Sequence, residues 1–274
     1  MSATDLGPVA AMIALGGWGD RRPLLEWAVA HAAADPVVAE RDGSIVGSGV
    51  GTLNGPVGWL GVIFVDRRQR RRGYGRALTE AICERLETAG ARTLTLTASR
   101  QGAPLYDRLG FRETDRYVTF EIPGGNERHG TNRGPVGVRQ FREDDRARVE
   151  ALDREATGED RSHLLRAWAD RDSATVAVDP SGRVRGFIVR PPWGGGATIA
   201  DAAETALALL DQRRLRAGPG RTVRAGVPGA NVAGREMLAA TGWQEAWSAP
   251  RMERGEPIDW RPERIFGQFG MAFG

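Results

Sequence analysis

Apolar positions near the start of the chain recur at helical spacing. Leu6, Val9, Met12 and Ile13, then Leu24, Leu25, Ala28 and Val29, predict two helices within residues 5–32. The pattern changes at Pro36. Val37-Val38-Ala39, Asp42-Gly43 and Ile45-Val46-Gly47 read as strand, turn and strand, because Asp-Gly accepts the positive φ values of a tight hairpin. Asn54-Gly55 signals a second turn, and Trp59–Val65 has the length and β-branched content of a buried strand. Ala77, Leu78, Ala81, Ile82, Leu86 and Ala89 then form the apolar stripe of a helix that Gly90 can end. Thr93–Ala98 alternates as a strand, followed by a short helix Pro104–Leu109, the pair Gly110-Phe111 and a closing strand Tyr117–Ile122. The order predicts a mixed α/β fold, with a largely antiparallel central sheet flanked by helices.

Between the strand ending at Val65 and the helix beginning near Gly75 lies Asp66-Arg67-Arg68-Gln69-Arg70-Arg71-Arg72-Gly73-Tyr74. A strand that feeds a glycine-containing loop opening a helix makes an anion cradle. Glycine lets backbone N–H groups turn inward, and the helix N-terminus adds partial positive charge. A phosphate-bearing cofactor is expected there. Earlier, Gly16-Gly17-Trp18-Gly19-Asp20 joins the first two helices. It reads either as a simple helix–helix turn with a packed tryptophan or as a loop whose Trp18 and Asp20 line an acceptor pocket.

Composition narrows the classes. With 41% hydrophobic and 27% charged residues over 274 positions, the chain can build one large core or two ordinary ones. No apolar run is long enough to span a bilayer, and Met-Ser-Ala-Thr-Asp-Leu lacks the features of a signal peptide. The single cysteine, Cys83, cannot form an intramolecular disulfide, so a reducing cytoplasm is expected. Three scattered histidines offer no ligand spacing, and no metal site is expected. The net charge of +3 is carried without a single lysine. Arg67, Arg68 and Arg70–Arg72 could suggest nucleic acid, but the aromatic interleaving of single-strand binders is missing, and a cofactor's phosphates explain the cluster more simply.

Arg70-Arg71-Arg72-Gly73-Tyr74-Gly75 resembles the Arg/Gln-x-x-Gly-x-Gly/Ala signature of the GNAT superfamily of N-acetyltransferases, and Leu105-Tyr106-Asp107-Arg108-Leu109-Gly110-Phe111 is similar to that superfamily's Leu-Tyr-x-x-x-Gly-Phe ending. The resemblance implies acetyl-CoA as donor. Its pyrophosphate would sit on backbone N–H groups of Arg71, Arg72, Gly73, Tyr74, Gly75 and Arg76, with Arg70 beside them as a further cofactor-binding residue. Ile63, Phe64 and Val65, on a strand that splays from its neighbour, would hold pantetheine and the thioester carbonyl, where an N–H stabilises developing charge. Tyr106 matches the family tyrosine that protonates the departing thiolate, or else packs over pantetheine. Ser99 stands where an asparagine often contacts the cofactor. The general base is left open among a water relay, Asp20 and a carboxylate of the second half, since Trp59–Val65 carries no acid.

The second half repeats the first. Thr175–Gly186 parallels Val37–Gly47, and Asn231–Trp243 parallels Ser99–Phe111 in spacing, with Gly242-Trp243 standing for Gly110-Phe111. Helices Asp144–Ala156 and Glu159–Ala169 parallel the N-terminal pair. No Arg-x-x-Gly-x-Gly lies between Gly186 and Asn231, and Leu238 takes the place of Tyr106. The expectation is therefore two tandem GNAT-like domains: an acetyl-CoA-binding domain over 1–124, a Pro/Gly-rich linker over 125–136, and a degenerate domain over 137–274 that walls the acceptor pocket or merely stabilises the first. The function expected is an acetyl-CoA-dependent N-acetyltransferase acting on a small-molecule amine by direct attack in a ternary complex, with no nucleic-acid or membrane partner. Monomer and homodimer both stay open. A non-catalytic acyl-CoA sensor and a protein or peptide N-acetyltransferase are the alternatives.

Overall fold

A computed structural model of the chain describes residues 1–126, 136–270 and 272–274. Most of the expected linker lies outside the described residues. The first half comprises α1 (Leu6–Leu15), α2 (Arg22–Ala30), β1 (Ala34–Arg41), β2 (Ser44–Asn54), β3 (Val57–Val65), α3 (Tyr74–Thr88), β4 (Thr93–Thr97), α4 (Ala103–Arg108) and β5 (Arg112–Pro123). The second comprises β6 (Gly137–Gln140), α5 (Arg146–Thr157), α6 (Ser162–Trp168), β7 (Ala174–Val178), β8 (Val184–Val189), β9 (Ala197–Ala200), α7 (Ala203–Ala217), β10 (Thr222–Pro228), α8 (Val232–Ala240), β11 (Gln244–Gly255) and β12 (Ile265–Gly267).

The two compact units do not follow the linear order. One contains Met1–Glu113, Met252–Pro257 and residues 272–274; the other contains Thr114–Arg251 and Ile258–Gly270. Most of β5 therefore belongs to the second unit, where it pairs antiparallel with β10 from Thr222↔Pro123 to Pro228↔Tyr117. The end of β11 returns to the first unit, where Thr93 on β4 donates its hydroxyl to the Glu256 carbonyl at 2.6 Å. A division at residue 124 is a division of sequence; the compact units interleave, because a strand's pattern fixes its faces and leaves its partner open.

In the first unit β1, β2 and β3 are antiparallel neighbours, and β3 pairs parallel with β4. Both residues of the Asp42-Gly43 turn have positive φ, as its hairpin type requires. Helix α3 lies on one face of this sheet, packing Leu78, Ile82 and Leu86 with Leu60, Leu94 and Leu96 into a buried core. It can approach because β2 presents glycine to it. A methyl group on Gly49 would lie 2.6 Å from the Ile82 Cδ1, and one on Gly51 2.9 Å from its Cγ2. In the second unit β12-β9-β8-β7-β6 form an antiparallel sheet. Its interior holds a buried ion pair, Arg161 to Asp153 at 3.0 and 2.6 Å, and Arg251 donates to the Tyr117 hydroxyl at 2.9 Å.

Candidate active site

The site begins as a fault in β3. Its register with β2 slips between Val50↔Gly61 and Ser48↔Phe64, and Val62 within the slip has φ +52°. A β-branched residue in the left-handed region marks a bulge held in place by its surroundings. The parallel ladder to β4 runs only from Val57↔Thr93 to Leu60↔Leu96. Beyond it, Ile63–Val65 continue along β3 past that ladder. Asp66 then turns the chain: its backbone N–H reaches the Val46 carbonyl at 2.9 Å, and its carboxylate accepts from the Arg68 N–H at 2.8 Å. Arg71 and Gly73 both take left-handed conformations, φ +60° and +91°, and α3 starts at Tyr74. Alternating backbone hand next to a helix N-terminus turns successive N–H groups into one concavity.

Arg70 ties this loop to its surroundings. Its Nε donates to the Val65 carbonyl at 3.2 Å, its Nη1 to Gln101 Oε1 at 3.1 Å, and its guanidinium lies 5.9 Å from the centre of the Phe64 ring. The other side of Phe64 meets the α1–α2 loop. Trp18 contacts it edge-on at 5.4 Å, a Cβ on Gly16 would overlap its ring, and Arg67 donates to the Gly16 carbonyl at 3.2 Å.

Tyr106 enters from α4. Ser99 accepts from the Gly102 N–H at 3.1 Å, and Gly102 leaves room for the tyrosine ring, which a Cβ would approach to 2.8 Å. The helix closes through Gly110, φ +86°, with the Phe111 N–H on the Tyr106 carbonyl at 3.0 Å. Tyr106 is 8% exposed and its ring meets Phe111 edge-on at 6.0 Å. Burial, with the Cys83 thiol adding to the rise, pushes the phenol up to about 12, so it holds its proton throughout the physiological range. Cys83 itself is buried in α3 and pushed up to about 11, which makes it a packing residue.

These elements enclose a cleft of about 710 Å³ within the first unit. It brings together Trp18, Ile63, Phe64, Val65, Arg70, Arg71, Tyr74, Gly75, Ser99 and Tyr106 from among the expected residues. Four others stand outside its lining: Asp20, Arg72, Gly73 and Arg76. Asp20 caps α2 by accepting from the Arg22 N–H at 2.8 Å, and Arg76 pairs with Glu80 at 2.9 Å. Gly73 acts through its backbone conformation and Arg72 is exposed. Arg67, expected only as part of the arginine cluster that a cofactor's phosphates explain, also lines the cleft, as do Gln69, Arg100 and Gln101, which no motif singled out; their nearness to the two motifs was the available signal. No Asp or Glu among the described residues lines the cleft. Among the described residues no cluster of potential metal ligands occurs, and no helix is long and apolar enough to cross a membrane.

The second half keeps the frame of this site without its cradle. Asn231 accepts from the Gly234 N–H at 2.8 Å as Ser99 does from Gly102, and the Trp243 N–H reaches the Leu238 carbonyl at 3.0 Å as Phe111 reaches Tyr106. Between β9 and α7, however, only Asp201 and Ala202 intervene. The Asp201 carboxylate accepts from Arg185 and from the Thr205 hydroxyl, and Glu204 stands in the first turn. That helix start carries Asp201 and Glu204, whereas α3 begins on the left-handed Gly73.

Residues 14–111 match the Acetyltransferase (GNAT) family, and residues 149–267 match an Acetyltransferase (GNAT) domain. The chain is 25% identical over 191 residues to the uncharacterized N-acetyltransferase YitH of Bacillus subtilis (strain 168), a match covering 68% of this chain and 66% of that one. In fold it is similar to a candidate acetyltransferase of Pyrococcus horikoshii, with a TM-score of 0.83 at 21% identity over 100% of this chain and 94% of the other. It is also similar to a tandem GNAT protein from the clavulanic acid biosynthesis pathway, with a TM-score of 0.64 at 16% identity over 94% and 98% of the two chains. Carrying two segments of one family in tandem, the chain belongs to the GNAT family of acetyltransferases.

Proposed function

We propose that the first unit binds acetyl-CoA in this cleft and transfers its acetyl group to the primary amine of a small molecule, by direct attack in a ternary complex. One observation carries the reading: the bulged strand, the left-handed loop and the Tyr106 helix meet in a single cavity. Acetyl-CoA, when bound, supplies the activated thioester. Backbone N–H groups of residues 71–76 hold its diphosphate, Arg70 fixes the loop, and backbone groups at Ile63–Val65 polarise the carbonyl. Tyr106 stays protonated and aims a hydrogen bond at the sulfur. Its pKa of about 12 lies well above the ~8.5 of an ordinary thiol, so it stabilises developing charge more readily than it surrenders its proton.

Among the described residues no carboxylate lines the cleft, which suits an acceptor amine that arrives neutral or loses its proton to solvent. Thiol release from acetyl-CoA over an amine library, repeated with Tyr106→Phe, tests the reading. Turnover with at least one small amine is expected, and the variant should lose roughly 10²-fold in kcat at unchanged acetyl-CoA affinity. Acetyl-CoA binding without thiol release for any amine would favour the sensor instead.

A further inference from the structure

Residues 272–274 follow the whole of the second family segment in sequence, yet they belong to the first unit. On β3, Gly61 meets Ala272 so closely that a methyl group there would overlap it. The Asn54 side-chain amide, at the end of β2, donates to the Phe273 carbonyl at 3.0 Å. The Phe273 ring is fully buried and meets Trp27 of α2 edge-on at 5.1 Å. Gly274 has φ +84°, and a Cβ there would lie 2.8 Å from the Trp59 ring. The segment is therefore fastened to α2, β2 and β3, on the face of the sheet opposite α3.

Those fastenings surround one place. Gly61 directly precedes Val62, whose left-handed conformation persists only where neighbours over-determine it. On the α3 side the strand is backed by Leu60 and the helix core. The parallel ladder to β4 has ended by Leu60, and the atoms nearest to a side chain at Gly61 would be those of Ala272. We infer that residues 272–274, through Phe273 above all, are a positioning segment that holds the Gly61–Val62 bulge and so sets the backbone groups at Ile63–Val65 against the thioester carbonyl. The inference rests on the proposed acetyl-CoA reading for its chemistry, and on the packing alone for its geometry.

The test uses the full chain with acetyl-CoA labelled with carbon-13 at the acetyl carbonyl. A carbonyl polarised by backbone N–H groups moves downfield on binding, whereas affinity is set mainly by the phosphate loop. Phe273→Ala should lose roughly half or more of that shift while acetyl-CoA affinity stays within about threefold, and Phe273→Leu should restore it. Asn54→Ala, which removes only the carbonyl anchor, should lose less in the same direction. A full shift in Phe273→Ala, or loss of the shift only together with binding, would overturn the inference. Wild-type protein that fails to bind acetyl-CoA would defeat the proposed function alone. Amide exchange then still decides the packing: Phe273→Ala should speed exchange over residues 58–65 and leave α3 protected, and uniform change or none would count against the segment's role.

Discussion

At the scale of single residues, this site works through backbone conformation and burial more than through charged side chains. Gly73 and Arg71 bend the loop by their φ values, and Gly102 makes space for Tyr106. Asp66 and Asp20, two acids on the loops beside Phe64, are spent on a turn and on the start of α2. A pH profile follows. With no carboxylate among the described residues lining the cleft and Tyr106 raised to about 12, kcat/KM for the acceptor should climb about tenfold per pH unit up to the acceptor amine's own pKa, with no enzyme inflection between pH 5 and 9. Burial favours the neutral phenol, so the acid form persists and no alkaline fall is expected before about pH 11. An inflection at a fixed pH that ignores the acceptor's pKa would reveal a base on the protein. The motif residues that reach the cleft were legible because loop and helix signals are local. The roles of Asp20 and Ser99 as caps depend on which N–H each side chain meets, and Arg67 or Gln101 becomes a site residue only when two separate loops close.

At the scale of elements, the strands and helices of the first half sit where their apolar periods put them, with shifts of one or two residues at most ends. The larger departures concern partners. Tyr117–Ile122 reads as the closing strand of the first domain, yet it pairs with Thr222–Pro228 in the second unit. Nothing in an alternating strand names its neighbour, and pairings that span half the chain leave no local trace. The bulge at Val62 was equally invisible, because valine is a strong strand former and its φ is imposed by packing. Residues 1–124 expressed alone should therefore fail to give a cooperative thermal transition, since they lack Met252–Pro257 and 272–274 of their own unit. A sharp unfolding transition for that fragment, with native amide dispersion, would contradict the interleaved arrangement.

At the scale of the whole molecule, the second half repeats the frame of the first without its glycine loop. Both halves repeat the cap, the helix and the glycine turn that bury Phe111 and Trp243. Only the first retains the long loop from Asp66 to Gly73; the second passes from β9 to α7 in two residues and places Asp201 at the helix start. The repeat was readable in the sequence from matched spacings. The carboxylate that closes the second helix start was not, because its meaning comes from the Arg185 and Thr205 contacts. A single acetyl-CoA site per chain, built on the loop before α3, is tested most directly by calorimetric titration of the 274-residue chain. Wild type should bind one acetyl-CoA per chain, and Gly73→Glu, which forces a carboxylate and a strained φ into the cradle, should lose at least ~30-fold in affinity at a near-normal melting temperature. Two sites per chain, or undiminished binding by that variant, would contradict it.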